Sequence, residues 1–178
     1  EDRLAISSRL FRELLKVGFS VNAVSLDGFR VTAYGSSRKY RLAARNLGNA
    51  MRTIANNVPQ EIEELSIVSI RAGIELNRLT IRRADLETAV NGMGNAEEIW
   101  ANAKFENGNP DFFLPDNVVR NPDRYPSTNW LINPKLRTHI GGPSQFLLYQ
   151  LYLTAGFDFD FLPGLIATGR LRRNIYNN

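Results

Sequence analysis

The sequence has no cysteine. That excludes a disulfide framework and a thiolate metal site, and it leaves the redox compartment open. A single histidine, His139, gives no basis for a histidine-built metal site. No run of 18 apolar residues occurs, so no transmembrane helix is expected. No nucleophile elbow or metal motif is found, and neither an enzymatic activity nor a cofactor is expected. No secretory signal opens the chain. It begins in a charged amphipathic stretch and ends on Asn177-Asn178, which reads as a hairpin turn. Both ends are therefore expected to be cuts within a longer protein.

What is present is ordinary in total and uneven in placement. Of 178 residues, 43% are hydrophobic and 22% charged, the composition of a folded chain. The net charge is +4. Residues 120–178 carry seven Lys/Arg against three acids, and the rest of the chain is balanced. Such a local excess suits a nucleic-acid face, an anionic-glycan path, lipid headgroups or a plain solvated surface.

Residues 1–92 alternate helical and strand periods. Arg3 to Val17 reads as a helix, with Leu4, Phe11 and Leu15 on one face and Leu10, Leu14 and Val17 beside it. A hairpin follows, its turn expected at Asp27-Gly28. A second helix is expected from about Tyr40 to Asn57, with Ala43, Leu47, Ala50, Met51, Ile54 and Val58 as its stripe, and Pro59 ends it. A second hairpin is expected to turn near Ala72-Gly73, and Asp85 is the expected cap of a short helix through Val90. The expected fold class is α+β: two helix–hairpin units forming a four-stranded, mainly antiparallel sheet with the helices on one face. Residues 93–128 are rich in Asn, Gly and Pro and read as a linker pinned by Trp100, Phe105, Phe112 and Phe113.

From Trp130 the period is 2. Three successive strands each have an apolar face and a face that carries the charges. Their lengths are about 11, 16 and 11 residues by this pattern, whereas globular strands run to about 5–6 and membrane-spanning strands to about 9–11. Aromatic residues cluster at the ends of the apolar face, as in the girdles of a membrane barrel. Residues 129–178 are thus expected to be the opening strands of an outer-membrane β-barrel, with a soluble sandwich or ligand-binding barrel as the alternative. On that reading Trp130, Tyr149, Leu151, Leu153, Phe157 and Phe159 face lipid. Lys135, Arg137, Gln150, Tyr152, Thr154, Thr168, Arg170 and Arg172 face an aqueous lumen and a glycan path.

The stretch W-x-x-x-P-x-L-R-x-x-x-GGP (Trp130, Pro134, Leu136, Arg137, Gly141, Gly142, Pro143), the FLLYQ segment (Phe146 to Gln150) and LPGL (Leu162 to Leu165) resemble the YjbH family of proteins linked to exopolysaccharide production. The helix over 40–57 and LTIRRADLE (Leu79 to Glu87) are also similar. The resemblance implies a large Gram-negative outer-membrane protein whose β-barrels are separated by a periplasmic α/β region. It implies a role in making or exporting a surface polysaccharide. The implied location is the outer membrane, with the N-terminal domain in the periplasm. The implied partners are a polysaccharide, the outer-membrane bilayer and periplasmic proteins of the same export system. No catalytic residue is carried over. Export is preferred to synthesis because a polar lumen suits a hydrated polymer. A scaffold that recruits assembly partners is the alternative, and a polysaccharide-modifying enzyme comes third.

Other clusters are set against simpler readings. Asp158 and Asp160 sit two apart on one strand, whereas a glycosidase pair flanks the sugar bond about 5–9.5 Å apart. Arg41, Arg45 and Arg52 make a basic helix face. A nucleic-acid site would place exposed aromatics on the sheet, where aliphatics stand instead, so no nucleic-acid partner is expected. His139 reads as a strand residue near a rim.

Overall fold

The computed structural model describes residues 2–37, 43–71, 73–92, 96–141, 147–162 and 164–177. The chain forms two compact units, Glu1–Arg124 and Tyr125–Asn178.

The first unit begins with α1 (Arg3–Lys16), β1 (Phe19–Asp27) and β2 (Arg30–Ser37). Asp2 caps α1 by accepting the Leu4 N–H at 3.2 Å. The buried stripe of α1 is Ile6, Leu10, Phe11 and Leu14. Leu4 and Leu15, expected on that stripe, are exposed, because a face centred on Leu10 and Leu14 turns both away from the sheet. The β1–β2 turn is centred on Gly28-Phe29, one residue later than expected, with Gly28 at φ 57°. A bulge between Val21 and Ala23 resets the alternation of β1. Phe19, Val21, Val24 and Leu26 therefore join the helix-side core, while Ala23 joins the opposite face.

α2 (Ala43–Asn57) follows, then β3 (Glu64–Arg71), β4 (Ile74–Arg82) and α3 (Arg83–Val90). Leu47, Ala50, Met51, Ile54 and Val58 are all buried, as their spacing predicts. The α2 crossover returns the chain to the same end of the sheet, so β2 and β3 pair in parallel. Asp85 lies in the first turn of α3 and pairs with Arg82; the helix begins at Arg83, with no side-chain cap from Arg82.

Within the segment read as a linker, residues 96–124 belong to the first compact unit. They supply α4 (Ala96–Asn102), β5 (Lys104–Asn107), β6 (Val119–Arg120) and a 3-10 turn over Pro122–Arg124. Strands β5 and β6 become the two edges of a six-stranded sheet of order β5-β4-β3-β2-β1-β6, where four strands were expected. Phe112, Leu114 and Val118 cover the face away from the main core, over Ala23, Tyr34, Val68 and Ile70. Phe112 stacks on Tyr34 at 5.8 Å between centroids. Phe105 and Phe113 are exposed, and the Trp100 side chain lies outside the described residues. The sequence could not show this cover, because its contacts pair residues far apart in the chain. At the β6 edge, Asn121 Nδ2 donates to the Val21 carbonyl at 2.9 Å and Arg124 Nε donates to Asn22 Oδ1 at 2.7 Å. The bulge residue is thus the anchor for the returning chain.

The second unit is β7 (Ser127–Ile140), β8 (Leu147–Leu162) and β9 (Leu165–Asn177) in one antiparallel sheet of order β7-β8-β9. The described residues show an open three-stranded sheet and no closed barrel. The β8–β9 turn contains Gly164 at φ 84°, a left-handed backbone that glycine adopts at no steric cost.

Candidate functional site

Strand register assembles the charged face of the second unit. Lys135 opposes Tyr152, Arg137 opposes Gln150, and Asn133 opposes Thr154. Across the other ladder, Tyr152 opposes Asn174, Thr154 opposes Arg172, Gly156 opposes Arg170 and Asp158 opposes Thr168. Residues opposite each other across a ladder point to the same side. Lys135, Arg137, Gln150, Tyr152, Thr154, Thr168, Arg170 and Arg172 therefore share one face. The Arg172 guanidinium lies 4.8 Å from the centre of the Tyr152 ring, a cation–π distance that holds the arginine over the middle of the sheet. The Thr154 Oγ is buried with no hydrogen-bond partner among the described residues. Ser127 donates to Asp160 Oδ2 at 3.2 Å, and Asp160 is buried. Asp158 and Asp160 share this face, on one strand.

The other face is apolar. Trp130 opposes Phe157, Pro134 opposes Leu153, and Leu136 opposes Leu151, which opposes Tyr176. Tyr149 stacks on Tyr176 at 5.7 Å. Gly169 opposes Phe157, and a Cβ there would clash with the ring, so the phenyl lies over the glycine. Trp130, Leu136, Phe157 and Leu171 are more than half exposed. Trp130, Tyr149, Leu151, Leu153, Phe157 and Phe159 therefore share the face opposite the charges. Arg173, opposite Leu153, is a cation on the apolar side.

Sequence reading missed a second polar surface, on the six-stranded sheet. Its three central rows are Arg30–Glu64–Arg82, Thr32–Ser66–Thr80–Lys104 and Tyr34–Val68–Arg78–Glu106. They face away from Val31, Ala33, Leu65, Ile67, Leu79 and Ile81 of the helix-side core. A cleft of about 380 Å³ opens over these rows, with Asn102 at the end of α4 on its wall. Arg30 donates to Glu64 at 2.6 Å, Arg78 pairs with Glu75 at 3.2 Å and Lys104 with Glu106 at 2.9 Å. The hydrogen bond and charge of Lys104 hold the Glu106 carboxyl below its ordinary range. Burial raises the Tyr34 phenol above its ordinary value, against the opposing pull of Arg78. The only sequence signal for this cleft was polar alternation in β4 and β5, hidden because β5 lay in the supposed linker.

Arg83 was also missed. Its buried guanidinium donates to the carbonyls of Ala55 at 2.6 Å, Pro59 at 2.9 Å and Val58 at 3.2 Å. It caps the C-terminal end of α2, where the helix dipole favours a cation. Of the basic helix face, Arg52 is exposed. Arg41 and the Arg45 side chain lie outside the described residues. No helix among the described residues is long and apolar enough to cross a membrane, which says nothing of spanning strands.

The family model described as exopolysaccharide biosynthesis protein YbjH matches residues 2–178. The uncharacterized lipoprotein YjbH of Escherichia coli (strain K12) is 24% identical over 168 residues, which cover 90% of this chain and 23% of that protein. The chain thus spans about a quarter of the length of the relative it matches. No solved structure matches it. The relative corrects the expected location. A lipoprotein is held at a membrane by acyl chains, which points to a membrane-anchored protein. The integral outer-membrane barrel with its N-terminal domain in the periplasm is set aside on that finding.

Proposed function

The chain belongs to the family of the exopolysaccharide biosynthesis protein YbjH, and on that premise we propose that it is a non-enzymatic component that guides the hydrated polymer during export. The charged face of β7–β9 is the guiding surface. Further strands close the sheet into a β-structure with that face inward, and the apolar face packs on another apolar surface. The observation that carries this reading is the register. It gathers Lys135, Arg137, Arg170 and Arg172 with Gln150, Tyr152, Thr154 and Thr168 on one side, and sets Trp130, Tyr149, Leu151, Leu153, Phe157 and Phe159 on the other. Solvated cations beside hydroxyl and amide groups attract a hydrated anionic chain without holding it at one point, and passage requires such weak, repeated contact.

The test uses cells lacking the parent gene, complemented with a version bearing Lys135→Gln, Arg137→Gln, Arg170→Gln and Arg172→Gln. Secreted polysaccharide should fall while polymer retained by the cells rises. Loss of total polymer without retention would place the protein in synthesis. Unchanged secretion would remove the charged face from the process.

A further inference from the structure

We propose that the cleft on the six-stranded sheet binds a short acidic saccharide segment, recognised through its carboxylates and hydroxyls. The ligand class rests on the reading above; the site does not. Its geometry comes from strand register alone.

The cleft volume, about 380 Å³, falls within the roughly 300–1,000 Å³ range of small-molecule sites. Four cations line it, Arg30, Arg78, Arg82 and Lys104, with Glu64 and Glu106; Glu75 and Asp85 complete one carboxylate partner for each cation, so an anion is drawn by the N–H donors left free and not by net charge. Each arginine is tied by a carboxylate: Arg30 by Glu64, Arg78 by Glu75 and Arg82 by Asp85. A guanidinium has five N–H donors. One acid partner fixes its plane and leaves donors for a ligand. The side chains of Arg30 and Arg82 remain 54% and 66% exposed, so their free edges reach solvent. Arginine held in this way suits a planar carboxylate, which it can meet with two parallel hydrogen bonds.

The rest of the lining separates a sugar from a nucleic acid. None of the described lining residues is aromatic, so no platform is present for a base to stack on. Glu64 and Glu106 can accept hydrogen bonds from sugar hydroxyls. Thr80 and Asn102 add a hydroxyl and an amide that donate and accept. Cations for carboxylates and mixed polar groups for hydroxyls together describe a uronate-like unit.

The experiment is fluorescence anisotropy of labelled trigalacturonate with the 178-residue chain. The Arg82→Gln, Lys104→Gln double variant removes two exposed cations and should weaken binding by about tenfold or more, the loss of one charge-assisted contact. Arg3→Gln with Arg12→Gln removes the same charge from exposed positions on α1 and should leave binding unchanged. Equal losses in the two variants would mean bulk attraction and overturn the site. Labelled maltotriose bound as tightly would overturn the acidic specificity, and labelled single-stranded RNA bound more tightly would overturn the saccharide class. Binding lost only with Arg170→Gln and Arg172→Gln would move the ligand to the other sheet. That result overturns this site and leaves the export reading intact.

Discussion

The two sheets treat their edges and faces in opposite ways. In residues 1–124, α1 and α2 cover one face of the sheet, and Phe112, Leu114 and Val118 cover part of the other. Its edge strands are short, four residues in β5 and two in β6, which leaves little unpaired backbone for another chain to join. In residues 125–178 the edge strands are 14 and 13 residues long. All of β7 from Trp130 to Ile140 is exposed, and β9 is exposed along nearly its whole length. Pro134 interrupts donation along β7, yet most of that edge can still pair. The first sheet is therefore finished by its own sequence, whereas the second presents unpaired edge groups and an exposed apolar face. The same contrast separates their polar surfaces. Charges in the first unit are paired and fixed around a cleft; those on the second are spread along a strand face.

Substitutions at matched positions can break this comparison. Ile67 is wholly buried at the centre of the first core. Ile67→Ala should destabilise residues 1–124 by about 2–5 kcal/mol through lost burial and the cavity it leaves, read as a lower denaturant midpoint. A loss below 1 kcal/mol would show that the first core is as loosely packed as the second sheet. The next effect comes from Arg83. Arg83→Met keeps much of the buried stem but removes the donors to Ala55, Val58 and Pro59. The expected cost is about 1.5–3 kcal/mol, the range for hydrogen bonds to a charged group. Amide exchange should show the last turn of α2 opening first. Protection unchanged there would mean that packing alone holds the helix end.

Legibility in the sequence followed the range of the interactions. Which residues of β7–β9 share a face could be read because a period of 2 fixes each strand locally. The stripe of α2 was legible for the same reason at a period of 3.6. A strict alternation does not describe β1, where one bulge at Asn22 sends Ala23 to the opposite face; nothing in the local pattern announces an inserted residue. The supposed linker failed because β5 and β6 are too short to show a period, and Phe112 finds Tyr34 78 residues away in sequence. The cleft has the same cause: Arg30, Glu64, Arg78 and Lys104 come from four separate strands. Arg83 read as one basic residue beside another, and only the fold brings it to the end of α2.

The smallest expected effect tests the comparison most directly. Leu136 lies mid-strand in β7 on the apolar face, opposite Leu151, and is 65% exposed. By composition alone Leu136→Ala resembles Ile67→Ala, since each removes an aliphatic side chain from a strand. The physical setting differs. A side chain already in water loses little transfer free energy when shortened, and no closed cavity forms behind it. The change in stability of the 178-residue chain should stay within about 0.5 kcal/mol, measured by the same denaturant titration as Ile67→Ala. On the proposed function, which covers the apolar face in the full-length parent, the same substitution should cost appreciably more there. A large cost already in the 178-residue chain would mean that residues 125–178 bury this face among themselves. The second sheet would then be a finished structure like the first, and no strands beyond these three would be needed to complete it.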